Sequence, residues 1–222
     1  MTNFPCKLIK VDGKLALETY QELKQRTDII PVILGDSDDV ESNMEVIAYV
    51  EASFPQLLQQ AEAIDAQEWF IKRQAQDPEY YDTAEEAEEW QEVEPACDIT
   101  VHLDILTGEA KPEVYIALVP VVKSWMIPAF LKTGGWNDCP NPEEHTAIFK
   151  YWDAKYGISV AGISSDVIEL EVKNPPTTQE QALLLATEQF IYCPDIVYQG
   201  TQTIAALAAT LLNGKVWFFW WD

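Results

Sequence analysis

The chain ends in Val216-Trp217-Phe218-Phe219-Trp220-Trp221-Asp222. Successive side chains on a strand point to opposite faces, so Val216, Phe218 and Trp220 go one way and Trp217, Phe219 and Trp221 the other. Both sets are bulky and apolar, which describes a strand covered on both faces and buried in a sheet. The C-terminus is therefore expected to close the fold. This constrains architecture strongly and chemistry very little.

At 222 residues the chain suits one large domain or two small ones and is long enough to bury a core. A hydrophobic share of 48% with 11% aromatics is that of a globular protein. No apolar run approaches the ~20 residues needed to span a bilayer, and residues 1–7 lack the apolar stretch and cleavage site of a secretory signal. Cys6, Cys97, Cys139 and Cys193 are far apart, with no Cys-x-x-Cys pair. A reduced, cytoplasmic protein is the expectation.

The net charge of −23 is concentrated. Residues 1–35 are nearly neutral, residues 36–113 carry twenty-two acidic groups against three basic ones, and residues 114–222 carry eleven against six. Affinity for nucleic acid comes mainly from Lys and Arg displacing counterions, so this field argues against DNA or RNA and against anionic membrane surfaces. It permits a basic protein partner.

Hydrophobic periodicity predicts strands over residues 7–11 and 29–34, then an acidic turn at Asp36-Ser37-Asp38-Asp39. Three- and four-residue spacing from Val46 to Ala61 predicts helix over residues 40–64, broken or kinked at Pro55. Thr83 and Glu86 resemble a capping box before a short acidic helix, residues 84–90, on a surface excursion. Residues 99–106 and 114–122 are two strand candidates whose simplest connection is a hairpin. Asn141-Pro142-Glu143-Glu144 is a strong helix start, and Gly157 a plausible stop. The buried face of that helix would be His145, Ile148, Phe149, Trp152 and Tyr156. A second hairpin turns at Ser164-Ser165-Asp166, its second strand alternating Ile168, Leu170 and Val172 with a wet face of Glu169, Glu171 and Lys173. Helices are expected from Pro175-Pro176-Thr177 to about Tyr192 and again around Ile204, Leu207 and Leu211, ending at Asn213-Gly214. The fold class is α+β, with helices on a mixed or antiparallel sheet.

Several C-terminal segments belong together: Gly134-Gly135-Trp136-Asn137-Asp138-Cys139-Pro140, Tyr151-Trp152 through Tyr156-Gly157, Pro175-Pro176-Thr177, Tyr192-Cys193-Pro194-Asp195 and Phe219-Trp220-Trp221-Asp222. Jointly they resemble the bacterial domain-of-unknown-function family numbered 4253 over roughly residues 114–222. The resemblance implies a soluble bacterial protein and brings no catalytic residues with it. It divides the chain into an acidic N-terminal α/β part, residues 1–113, and an α+β family domain, residues 114–222, in two units or one continuous one.

Cys139 and His145 are the most chemical pair. A cysteine just before a helix start can be held as a thiolate, and a histidine one turn in can act as its base. Against this, Asp138 would raise the thiol pKa, no third orienting group is evident, and His145 falls on the core face. A metal site drawing on Cys97, His102, Cys139, His145 and Cys193 lacks the close ligand pairs of zinc sites. Asp36, Asp38, Asp39 and Glu41 are hard oxygen donors for Mg²⁺ or Ca²⁺, but they lack the glycine and closing glutamate of a calcium loop and read as a helix start. Trp136, Asn137 and Asp138 mark a loop suited to a pocket.

The favoured reading is a non-catalytic binding module that turns an acidic face, including Glu85, Glu86, Glu88 and Glu89, to a basic protein, as acidic immunity proteins do. The alternative is a small-molecule enzyme or binding protein with a pocket near residues 134–145, using Cys139. No cofactor is expected, and the chain would be a monomer or homodimer.

Overall fold

The structure, a computed structural model, describes residues 4–81, 90 and 92–222. Its strands are β1 (Lys7–Val11), β2 (Ile30–Gly35), β3 (Val114–Val119), β4 (Ile158–Ile163), β5 (Val167–Val172) and β6 (Val216–Trp220). They form one mixed sheet in the order β1-β3-β2-β4-β5-β6, antiparallel except where β2 lies parallel to β4. The α+β class therefore holds. The acidic first half supplies β1 and β2, and the remaining strands come from residues 114–220.

The helices are α1 (Ala16–Leu23), α2 (Ser37–Tyr49), α3 (Phe54–Glu62), α4 (Ala66–Gln76), α5 (Ile127–Leu131), α6 (Pro142–Tyr156), α7 (Gln179–Tyr192) and α8 (Ile204–Leu211). On one face of the sheet, Val32, Leu34, Ala117, Val160, Leu170, Trp217 and Phe219 share a core with residues of α2 and α4–α8. On the other, Ile33, Ile116, Ala161 and Val216 pack with Ala16 and Tyr20 of α1 and with Ile99 and Val101. Every residue of β3 is buried, as its unbroken Val-Tyr-Ile-Ala-Leu-Val run requires.

Local chemistry sets the helix boundaries. Asn141 and Glu144 form a reciprocal capping box with Pro142 in the first turn of α6, and Gly157 ends that helix in a left-handed conformation. The helix over residues 40–64 is two helices. α2 stops at Tyr49, and Ser53 with Gln56 caps a new one, so Pro55 sits in the first turn of α3, where its missing N–H is harmless. α4, capped by Asp65, was not expected from the apolar spacing. Residues 84–90 with their acidic run fall, except Trp90, outside the described residues.

β6 lies in the sheet, at its edge. Trp217, Phe219 and Trp221 are fully buried, whereas Phe218 on the opposite face remains 39% exposed. Cover is complete on one face and partial on the other.

Residues 99–106 do not form a strand. β3 pairs with β1 and β2, while the preceding segment turns back on itself through a single bridge between Leu103 and Ala110. The reason lies in β5. Glu169, expected to face water, is fully buried. Its carboxylate accepts hydrogen bonds from Thr100 N at 2.7 Å and Val101 N at 3.0 Å, as well as from the Thr100 hydroxyl. Backbone N–H groups that a strand partner would have taken go to a side chain instead. Glu171 accepts from Tyr20 at 2.9 Å and pairs with Lys24 of the segment following α1. The expected wet face is thus occupied at Glu169 and Glu171, while Lys173 is exposed as expected.

Glu169→Ala should lower the unfolding free energy by about 2–3 kcal/mol, because it strands buried donors. Urea titration measures this directly. Burial raises the Glu169 carboxyl pKa above the usual 4.5 despite the Thr100 and Val101 hydrogen bonds. The folded protein therefore holds a proton that the unfolded chain has released. The group's contribution is largest below pH 4.5 and declines as pH rises through the elevated folded value. The difference in stability between wild type and Glu169→Gln should carry that slope.

Candidate functional site

Two arrangements compete for a functional role. The first surrounds Cys139. The loop before α6 folds back so that Cys139 Sγ lies 3.3 Å from His145 Nε2, and His145 Nδ1 lies 2.6 Å from the Tyr192 hydroxyl at the end of α7. The sequence-predicted pair therefore meets and has a third, orienting group. Gly134 makes this approach possible. Its φ is +106°, and a Cβ there would fall 2.0 Å from Pro140 O and 2.7 Å from the His145 ring. Arg73 of α4 ties the loop to α7, donating to Asp138 O at 2.6 Å and to Ile191 O at 3.0 Å.

The electrostatics oppose nucleophilic chemistry. His145 and Tyr192 are completely buried, and Cys139 nearly so. Burial, with nearby Cys193 adding to it, pushes the Cys139 thiol well above its usual value. Burial, reinforced by Arg73, pulls the His145 imidazole down to about 3. Thiolate and imidazolium are thus both disfavoured, and the trio is a neutral hydrogen-bonded chain within an aromatic core. His145 also packs against Phe149, Tyr192 and Trp221.

The second arrangement is an open cleft of about 570 Å³ where β2 and β4 end. Asp36 caps α2, accepting from Asp38 N and Asp39 N, while Asp39 returns a bond to Asp36 N. Lys111 reaches across from the loop before β3, 2.5 Å from Asp39 and 3.1 Å from Asp36. Burial opposes its charge, but the hydrogen bonds to Asp39 and Asp36 prevail and raise its pKa. Asp36, although burial acts the other way, is held below its ordinary value by Lys111 and by backbone N–H groups. Asp104 is lowered by hydrogen bonds from the Thr107 backbone and hydroxyl. Asp166 accepts from Trp220 Nε1 at 2.9 Å. Val101, Leu103, Ile105, Val167, Phe218 and Trp220 form its apolar walls, with Thr100, Gly108 and Ser164 between them.

Of the metal candidates, Asp36 and Asp39 are engaged by the Lys111 ammonium, and Asp38 and Glu41 do not line the cleft. Among the described residues no group of three or more His, Cys, Asp or Glu is placed to hold a metal ion. Trp136, Asn137 and Asp138 cover the Cys139 loop. Asn137 donates to Asp222 O at 2.5 Å, and Asp138 offers its carbonyl to Arg73. Three cavities, the cleft among them, take no wall from residues 134–145. Glu85, Glu86, Glu88 and Glu89 lie outside the described residues. Sequence reasoning missed Tyr192, Arg73 and Lys111. Lys111 alone carried a signal, as the only Lys or Arg between Arg73 and Lys123.

Residues 115–222 match the family model described as a domain of unknown function, DUF4253, which bears out the resemblance of the C-terminal segments. The match contains Cys139, His145 and Tyr192 and one wall of the cleft, while Asp36, Asp39, Asp104 and Lys111 precede it. No curated protein and no solved structure matches the chain. No helix among the described residues is long and apolar enough to cross a membrane.

Two outcomes follow from the buried trio. At pH 8 in native protein, Cys97, which is exposed, should react with a thiol reagent, and Cys139 and Cys193, both buried, only after denaturation. Rapid native labelling of Cys139 would contradict this account. Because the folded His145 pKa is depressed from 6.5 to about 3, the unfolded chain takes up a proton first as pH falls. The contribution is present above 6.5 and lost between 6.5 and about 3, with a total on the order of 4 kcal/mol. Denaturation at pH 7 and pH 4.5 should show the part of that loss that falls above pH 4.5, about 3 kcal/mol, in wild type and little of it in His145→Phe.

Proposed function

We propose that the chain is a non-catalytic binding module that receives a lysine- or arginine-bearing segment of a basic protein in the cleft between Asp36, Asp104 and Trp220. One observation carries this reading. Four carboxylates, Asp36, Asp39, Asp104 and Asp166, line a cleft with a single ammonium, Lys111, and apart from Thr100, Gly108 and Ser164 its other walls are apolar and aromatic. A long basic side chain has an apolar stem and a charged head, and this cleft offers a surface for each. Trp220 and Phe218 line the cleft, and aromatic rings attract cations. A net charge of −23 would steer basic partners toward the molecule and repel anionic ones.

The cysteine-based alternative has weaker support. Cys139 and His145 meet, but in a sealed and neutral setting that favours packing over catalysis.

The reading is tested with a short lysine–leucine peptide, followed by tryptophan fluorescence at low and moderate salt, with a glutamate–leucine peptide as control. Asp104→Asn and Asp166→Asn together remove two charges. They retain the oxygen that caps the Thr107 turn and the one that accepts from Trp220. The double variant should bind the basic peptide at least about tenfold more weakly, and added salt should weaken the wild type. Equal binding by both proteins, or equal binding of the acidic peptide, would overturn the assignment.

A further inference from the structure

After α7 the chain makes a wide π-helical turn, Ile196–Thr201, before entering α8. Such turns carry an extra residue and recur at functional sites. This one walls a cavity of about 290 Å³ that lies beside β6. Ile196, Leu207, Leu211 and Val216 make most of it apolar, and its size is near the lower end for ligand pockets.

Two residues lining this cavity carry buried donors with no acceptor. Gln189 and Trp217 are each 1% exposed, and neither Gln189 Nε2 nor Trp217 Nε1 has a hydrogen-bond partner. Native proteins leave few such groups, and each calls for an explanation. The neighbouring hydroxyls direct their protons to backbone carbonyls. Thr201 turns its hydroxyl to Ile196 O and Thr203 O, and Thr210 turns its hydroxyl to Leu207 O. Asp195 accepts from Gln199 and from Asp222 N. No acceptor of the described residues reaches Gln189 Nε2 or Trp217 Nε1, so a molecule that enters is left to supply one.

The donors are neutral, and a carboxylate, Asp195, lines the same space. An anion would be repelled and would meet no cation there, whereas an uncharged oxygen would satisfy both N–H groups at no such cost. We infer that this cavity binds a small uncharged carbonyl compound, an amide, ketone or ester with an aliphatic or aromatic body, whose oxygen accepts from Gln189 and Trp217. The site shares Phe218 and Trp220 with the acidic cleft but none of the charge argument, so it stands or falls separately.

The test follows the Trp217 indole N–H by ¹⁵N-correlated NMR, assigned by its disappearance in Trp217→Phe. Benzamide, acetophenone and methyl benzoate are titrated, with benzoate as the charged control. At least one neutral probe should shift this resonance saturably, with benzoate at least tenfold weaker. Gln189→Leu, close in volume but without the donor, should weaken that probe at least tenfold. No response to any of the three would overturn the inference and leave the cavity to water. Benzoate binding as well as the neutral probes, or an unchanged affinity in Gln189→Leu, would overturn it too. If Gln189→Leu does not fold, the comparison of neutral and charged probes in the wild type still decides.

Discussion

The packing of Phe219 between Trp152 and Tyr192 holds the molecule together. Phe219 stacks on Trp152 with ring centroids 5.7 Å apart and planes only 6° from parallel, and it meets the Tyr192 ring edge-on at 4.8 Å. Trp217 adds an edge contact to Trp152 at 5.6 Å, and Trp221 one to Tyr192 at 5.4 Å. Three alternate residues of the last strand thereby lock α6 and α7 onto the sheet. Rings of this size bury large apolar areas, and offset or edge geometries add to that gain. The Cys139–His145–Tyr192 chain hangs from the same cluster. Its neutrality follows from the packing, because a site this well sealed cannot solvate either ion of a thiolate–imidazolium pair.

Elsewhere, the buried or half-buried groups of Glu169, Asp39 and Lys111 are paired or hydrogen-bonded and secure the loop before β3. Glu169 holds residues 100 and 101 against β5. Lys111 joins the far end of that loop to Asp36 and Asp39 at the start of α2. Breaking a buried pair leaves an uncompensated charge, so these contacts hold their geometry even where their net stabilisation is small. They also explain why the cleft is open. The loop is tethered at both ends, and two of the carboxylates that tether it, Asp36 and Asp39, line the gap.

Most of the scaffold was legible because it obeys local rules. The Asn141 helix start, the Gly157 stop, the hairpin at Ser164-Ser165-Asp166 and the terminal strand each depend on residues within a few positions of one another. The failures were long-range. Alternation in β5 marks Glu169 and Glu171 as solvent-facing, and no local pattern reveals that residues 100 and 101 and the end of α1 come to cover them. The same applies to the sites. Cys139 and His145 are six residues apart and could be paired by inspection, whereas Tyr192 reaches His145 from forty-seven residues away. Lys111 meets Asp39 across seventy-two residues.

The position of β6 at the sheet edge connects these observations to function. An edge strand offers unpaired backbone groups, which proteins ordinarily cover or blunt. Among the described residues, Ala96 O accepts from Lys215 N and Val216 N and covers the beginning of the strand. The remainder is left to the turn after α7, to α8 and to the loop before β3, none of which fills the space beside it. The strand's aromatic residues explain the result. Trp217, Phe219 and Trp221 are consumed by the core, and the same two-residue period delivers Phe218 and Trp220 to the other side, where little covers them. Both cavities meet at these two side chains. A strand that closes the fold with one face thus presents aromatic surface with the other, and that surface is where this molecule has most to offer a partner.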